Sequence, residues 1–346
     1  MVKILERAHL PAIARGFSLL GSGGGGTTTL LELILADASH WPITLYSIDE
    51  LDPALPCLAA GFVGSTILLG ERLPGDAPFD PLIQAAERWL GHPIPVVCSL
   101  EGGGLNGLTP LMSHGGRMVL DVDLTGRAMP GLDQMSLLVD RVPGVIASSD
   151  TGAGGVLIAQ PGRPVDLERL LRAAIIQSGG VGGAVFAGFT VGDLVDHAIH
   201  GSTLRALELG SAFIAGQAAS LAVLAAALGG RVLGQGRITA AEPDAADPQV
   251  RAVEIAGGDG EIHRLITRSE SLAFITDGRL EASAPQIIVA LDAVSRDILE
   301  VTDLVLARNI AVIELPGPEW WGLSAERLAQ VVPSAYGLSG LDATDE

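Results

Sequence analysis

Three short stretches of the chain combine residue types and spacings suited to chemistry. In the first, Gly23, Gly24, Gly25 and Gly26 run directly into Thr27, Thr28 and Thr29. Glycine admits the φ angles that let successive N–H groups converge, and a helix beginning near Thr27 or Thr28 would add positive potential. The segment therefore reads as the wall of an anion or ligand pocket, with a plain tight turn as the structural alternative. It has neither the lysine of a P-loop nor the spacing of a dinucleotide fingerprint. In the second stretch, Glu101-Gly102-Gly103-Gly104-Leu105-Asn106-Gly107 follows the apolar run PIPVVCSL. Glu101 is suited to move a proton, and Asn106 to bond a carbonyl or amide; capping of the loop is the scaffold alternative. In the third, Asp121 and Asp123 alternate along VLDVDL and so share one face of a strand, with Thr125, Gly126 and Arg127 just beyond. Two close carboxylates need a proton, a guanidinium or a cation between them. The competing reading is an Asp–Arg network that locks the strand end. Asp121, Asp123 and His114 are the ligands expected should a divalent ion bind, but one His and two Asp do not define a metal site, and a metal-free site is expected.

Other polar residues carry weaker signals. Ser178, beside Gly179 and Gly180, and Thr203 near a helix start are placed on the cleft wall as substrate contacts, together with Arg127. His197 and His200 stand three apart and are read as local structure. Cys98 is expected to pack within its strand, and Trp320 and Trp321 to anchor the tail.

Positioning such residues takes an alternation of helices and strands. Residues 9–20 look helical up to Gly21, and FDPLIQAAERWLG and VDLERLLRAAIIQSG have apolar stripes at helical spacing. PITLYSI, GFVGSTILLG, PIPVVCSL, RMVLDVDL, VPGVIASSD and GGVLIAQ read as strands. GSTLRALELGSAFIAGQAASLAVLAAALGG reads as one long buried helix that Ser202 would cap. From Arg231 the texture changes to short β-like runs divided by Gly and Asp turns, with Gly257-Gly258-Asp259-Gly260 the clearest hairpin. The expected organisation is an α/β domain over 1–230, three-layered, then a β-rich, barrel-like domain over 231–315, and a tail over 316–346 that returns to the first domain through a helix at PEWWGLSAERLAQ.

Composition narrows the function classes. The 346 residues carry a formal net charge of −19, with Lys3 the only lysine, a surface that repels phosphate backbones and anionic lipid heads. No nucleic-acid or membrane partner is expected, and the apolar stretch Leu209 to Gly230 is read as a soluble helix because it mixes in Ser211, Gly216, Gln217 and Ser220. Cys57 and Cys98 form no disulfide framework, and the opening MVKILERAHLPAIARG has no signal-like apolar run, so a reducing, cytoplasmic setting is expected. The partner is a small molecule, with a homo-oligomer as the expected assembly.

GSGGGG, EGGGLNG and DVDLTGRAMP, in this order, resemble the S-methyl thiohydantoin desulfurase family, and the resemblance covers nearly the whole chain. It implies an N-terminal α/β domain, a C-terminal β-rich domain, and an enzyme acting by activated-water attack on a cyclic amide or thioamide, without cofactor. The family pattern at the acidic strand end looks like D-x-D-G-x-G-R-A-x-P-E. Asp121, Asp123, Gly126, Arg127, Ala128 and Pro130 match it, Leu124 and Gly131 depart from it, and Gln286 follows Pro285 where the family has aspartate. Glu101, Asp121 and Asp123 are the candidate catalytic groups. The alternative is a non-catalytic binding or accessory subunit of a hydantoinase-like complex.

Overall fold

The computed structural model describes residues 3–65, 68–69, 74–75, 77–113, 115–160, 162–245 and 247–343. Two sheets organise them. The first holds β1 (Lys3–Leu5), β2 (Ile43–Tyr46), β3 (Pro56–Gly64), β4 (Val96–Ser99), β5 (Met118–Asp123), β6 (Ile146–Asp150), β7 (Val156–Ala159), β8 (Val181–Thr190) and β9 (Ile199–His200), in the order β1-β2-β5-β4-β3-β8-β6-β7 with β9 beside β5. Strands β2, β5, β4 and β3 run parallel, and β8, β6 and β7 continue the sheet antiparallel. The parallel strands thus end on one edge, where α/β sheets place their ligand sites.

Alternation along the strands divides the apolar residues between two cores. Leu58, Ala60, Val97 and Val185 join the cluster with α1 (Leu10–Leu20), α2 (Thr29–Asp37) and α3 (Asp80–Leu90). Ala59, Val96, Cys98 and Phe186 join the opposite cluster with α4 (Pro164–Gln177). VGGAVFAGFT, which the sequence analysis leaves without an element, forms the central strand β8. Its three glycines count against a strand locally. Here Gly183 fits because a Cβ would press on Leu82 and Phe79 of the helix layer, and Gly182 because it would meet Asp150.

The run after Gly201 is two helices, α5 (Ser202–Gly216) and α6 (Leu221–Ala227), rather than one long buried one. Ser220 accepts the Val223 N–H and starts the second, and Ile214 and Val223 are exposed. Gly201, with a left-handed φ of 74°, is the N-cap of α5, so Ser202 is its first residue and not its cap. No helix among the described residues is long and apolar enough to cross a membrane.

The second sheet is antiparallel throughout: β10 (Arg231–Pro243), β11 (Arg251–Gly257), β12 (Ile262–Thr267), β13 (Ser271–Thr276), β14 (Arg279–Ser283), β15 (Ile287–Asp292), β16 (Ile298–Leu299) and β17 (Asn309–Leu315), ordered β14-β13-β12-β11-β10-β17-β15-β16. No ladder joins β14 to β16 among the described residues, so the domain is β-rich without a closed barrel. β15 and β17 are two-faced: Ile287, Val289, Ala311 and Ile313 enter the core of the first sheet, while Ile288, Ala290, Ile310 and Val312 fill the second sheet's own. The two domains therefore share a hydrophobic core.

The tail is a 3-10 turn at Glu319–Leu323 and one helical turn at Ala325–Leu328 instead of a continuous helix. Trp321 Nε1 donates to the Thr125 carbonyl at 2.8 Å, and Arg327 pairs with Asp140.

Candidate active site

A cavity of about 560 Å³ opens between the domains at the carboxyl edge of the parallel strands. Its walls come from the glycine loop (Gly24, Gly25, Gly26, Thr27), the ends of β3 and β4 (Phe62 to Ser65, Leu100, Glu101, Asn106) and the segment after β5 (Ala128 to Leu132). The second domain supplies Arg268 to Glu270, the turn between β12 and β13, and Glu300 to Asp303 beyond β16.

The three glycine-bearing motifs meet backbone against backbone. A Cβ on Gly102 would collide with the Asp123 carboxylate, one on Gly103 with Ala128 N, and one on Gly104 with Gly25. Only residues without side chains allow this approach, and Gly25 (φ 75°), Gly26 (φ 74°) and Gly104 (φ 62°) also need the left-handed region. The glycine loop is also stitched to the second domain. Ser271 N donates to Ser22 O at 2.7 Å, Val301 N to Gly23 O at 2.8 Å, and Ile288 N to Ser22 Oγ at 3.0 Å. The Gly26 N–H faces the Glu300 carboxylate, so part of the positive end of this loop is already taken by the protein's own side chain.

Glu101 is buried in the cavity wall. One carboxylate oxygen accepts from Met129 N at 2.7 Å and the other from Asn106 Nδ2 at 2.8 Å. Burial pushes its pKa up to about 7, against the downward pull of these two bonds, with Glu270 and Asp123 adding repulsion. Asn106 is fully committed: Oδ1 accepts from Phe62 N at 2.7 Å, and Nδ2 donates both to Phe62 O at 2.9 Å and to Glu101. It orients Glu101 and has no amide hydrogen left for a substrate oxygen, unlike the oxyanion role its type suggests.

Asp121 and Asp123 share a face of β5, but that face meets the start of α5 and not the cavity. Asp121 accepts Thr203 N at 2.6 Å, and burial raises it to about 6. Asp123 is fully enclosed and accepts from Thr125 N at 2.7 Å, from Gly126 N and from the Ser202 hydroxyl. Burial raises its pKa, and these bonds oppose the rise. Arg127 does not pair with it. Its guanidinium donates across the domain boundary to the carbonyls of Gln286 at 3.0 Å and Ser271 at 3.2 Å. Ser178 bonds Ile175 O at 2.9 Å behind α4, and Thr203 spends its N–H on Asp121. Gly23, Asp121, Asp123, Arg127, Ser178 and Thr203 are therefore off the cavity wall, whereas Gly24, Gly25, Gly26, Thr27, Glu101 and Asn106 are on it. His114 lies outside the described residues. Among those described, no group of three or more His, Cys, Asp or Glu is disposed to hold a metal ion.

Two wall residues have no signal in the sequence. Glu270 is 1% exposed, and neither of its oxygens has a hydrogen-bond partner. Burial raises it to about 7 even though Arg127 and Arg268 oppose the rise. Glu300 is likewise raised to about 7 by burial and by Asp303. A lone glutamate in a turn has no local pattern, and only the assembled wall makes these two unusual.

A crystal structure of a protein from Chromobacterium violaceum has this fold, with a TM-score of 0.82 over 99% of each chain at 20% identity. No curated protein matches the sequence. Two family models match, the S-Me-THD-like N-terminal domain over residues 8–160 and the S-Me-THD-like C-terminal domain over 163–344. The chain accordingly belongs to the S-Me-THD-like, that is S-methyl thiohydantoin desulfurase-like, family.

Proposed function

We propose that the chain is a hydrolytic enzyme that brings water to a small five-membered cyclic amide or thioamide, of hydantoin or S-methyl thiohydantoin type, in the interdomain cavity. Family membership supplies the substrate class. The observation that carries the mechanism is Glu101, a buried wall carboxyl whose two oxygens are held by Met129 and Asn106 and whose pKa sits near 7. A general base works best when its pKa lies near the working pH. Glu101 takes a proton from water as the oxygen attacks the ring carbon that bears sulfur. The C–S bond then breaks, the thiolate leaves with the proton that Glu101 returns, the water's second proton passes to the adjacent ring nitrogen as the oxygen becomes a carbonyl, and the ring survives. In ring opening the C–N bond breaks instead, and the ring nitrogen takes that proton. Gly24, Gly25, Gly26 and Thr27 form the wall against which the ring lies.

Glu101→Gln keeps the size and the contact to Asn106 but removes the base. Turnover of S-methyl thiohydantoins per folded molecule, read as thiol release, is expected to fall by about 10²–10⁴-fold, with a lower melting temperature because the amide NH₂ faces the Met129 N–H. Normal turnover by the variant would defeat the role of Glu101. A second reading, a ligand-binding subunit without turnover, rests on Gly131, which stands on the cavity wall where the family pattern has a glutamate. Ligand-stabilised melting with no thiol or ring-opened product from the wild type would favour it.

A further inference from the structure

The role of Glu270 follows from what its carboxyl lacks. It is the last residue of the Arg268–Glu270 turn, against the glycine loop: a Cβ on Gly24 would stand 2.9 Å from the Glu270 Cβ. Both oxygens are cut off from solvent and have no hydrogen-bond partner among the described residues. The two nearby cations are spent elsewhere, Arg127 on the Gln286 and Ser271 carbonyls and Arg268 on Asp247 at 3.4 Å. The other titratable groups that bear on it are Glu101 from the loop after β4 and Tyr336 from the tail. A buried polar group left without partners costs about 1–3 kcal/mol, more if charged, and such groups persist where a ligand completes them.

We propose that the two oxygens of Glu270 take the adjacent N–H and C=O of a ring's cis-amide edge, which makes Glu270 a substrate-contacting residue. A five-membered ring forces its amide to be cis, so donor and acceptor stand side by side. A neutral carboxyl has the complementary pair, O–H to the ring carbonyl and C=O to the ring N–H. Burial favours that neutral form, since Glu270 is raised to about 7. The contact requires the wall to open at the Arg268–Glu270 turn, since both oxygens are closed to solvent. The inference rests on the proposed cyclic-amide substrate and adds which edge of the ring is read.

The probes are hydantoin and 1,3-dimethylhydantoin, which has no ring N–H, with binding measured by calorimetry on the full chain. Glu270→Gln presents the same acceptor and donor and is expected to bind hydantoin within about threefold of wild type. Glu270→Met presents neither and is expected to lose about 10–100-fold, the worth of one or two buried hydrogen bonds. Dimethylation should cost wild type and E270Q a similar factor and E270M little. E270M should melt no lower than wild type, because it removes a polar group that bonds nothing.

Equal hydantoin affinity in all three proteins, or an equal cost of dimethylation in all three, overturns the inference. So does a wild type that fails to bind hydantoin. Should E270M not fold, a dimethylation cost absent from both wild type and E270Q overturns it alone. Turnover is read separately: edge-dependent binding without any product leaves Glu270's role standing and removes the enzymatic reading. Turnover indifferent to ring methylation and to E270M does the reverse.

Discussion

Two regions of this molecule bury carboxylates, and they answer the loss of water differently. At the end of β5, Asp121 and Asp123 are enclosed and answered: Thr203 N, Thr125 N, Gly126 N and the Ser202 hydroxyl supply the bonds that burial removes from water. In the cavity wall, Glu101 is answered by two donors and Glu270 by none. Burial raises the pKa values in both regions, so burial and charge do not separate them. Hydrogen-bond satisfaction separates Glu270 from the other three. A carboxylate that protein donors reach is held by them, whereas one left without any beside a cavity has capacity for a ligand.

The hardest blow to that contrast would come from the glycine junction on which both regions lean. Gly104→Ala puts a Cβ into the Gly25 backbone at a φ of 62°, and a loss of more than about 3 kcal/mol, or failure to fold, is expected. A stable G104A would mean that the loops are not in contact. Next in size is Asp123→Asn. The amide has a single acceptor oxygen for donors that now share two, and its NH₂ faces one of them. A loss of about 2–4 kcal/mol in chemical denaturation is expected, with turnover per folded molecule nearly unchanged. An unaltered melting curve with turnover abolished would move Asp123 into the chemistry and erase the contrast.

A pH series sharpens it further. Glu101, Glu270 and Glu300 have folded values near 7 against the ordinary 4.5, so the folded state binds more protons than the unfolded one between these limits. Their contribution to stability is complete below about pH 4.5 and is lost as pH rises to about 7. Glu270→Gln should flatten that decline when the denaturation midpoint is followed over pH 5–8, and an identical slope would show that Glu270 does not titrate there. The smallest effect expected is from Ser202→Ala, which removes one donor from Asp123 and should cost about 1–2 kcal/mol. A cost near zero would make that bond dispensable.

Much of the framework was legible locally. The helices α1, α3 and α4 announce themselves by apolar stripes, and the strands ending at Ser99 and Asp123 by short apolar runs. The change of texture at Arg231 coincides with the start of the second sheet. These signals are periodicities, which depend only on near neighbours in the chain. Where a residue's environment comes from elsewhere, they fail. β8 was hidden because Gly182, Gly183 and Gly188 oppose a strand until a partner strand and a helix layer make small residues the ones that fit.

The same limit divides the site. Glycine clusters reveal by themselves that the backbone bends or is closely approached near Gly25 and Gly104, because φ is a local property. The spacing of Asp121 and Asp123 likewise determines that they share a face. Which body that face meets is a tertiary matter: docking of α5 supplies the Ser202 hydroxyl and the Thr203 N–H that the pair accepts. Glu270 is the converse case. Nothing within several residues distinguishes it, and its isolation arises when two domains close around it and bring no donor to its oxygens. Sequence sets the type and direction of a side chain through short-range sterics. Desolvation and hydrogen-bond satisfaction are sums over all neighbours in space, and only the folded chain decides them.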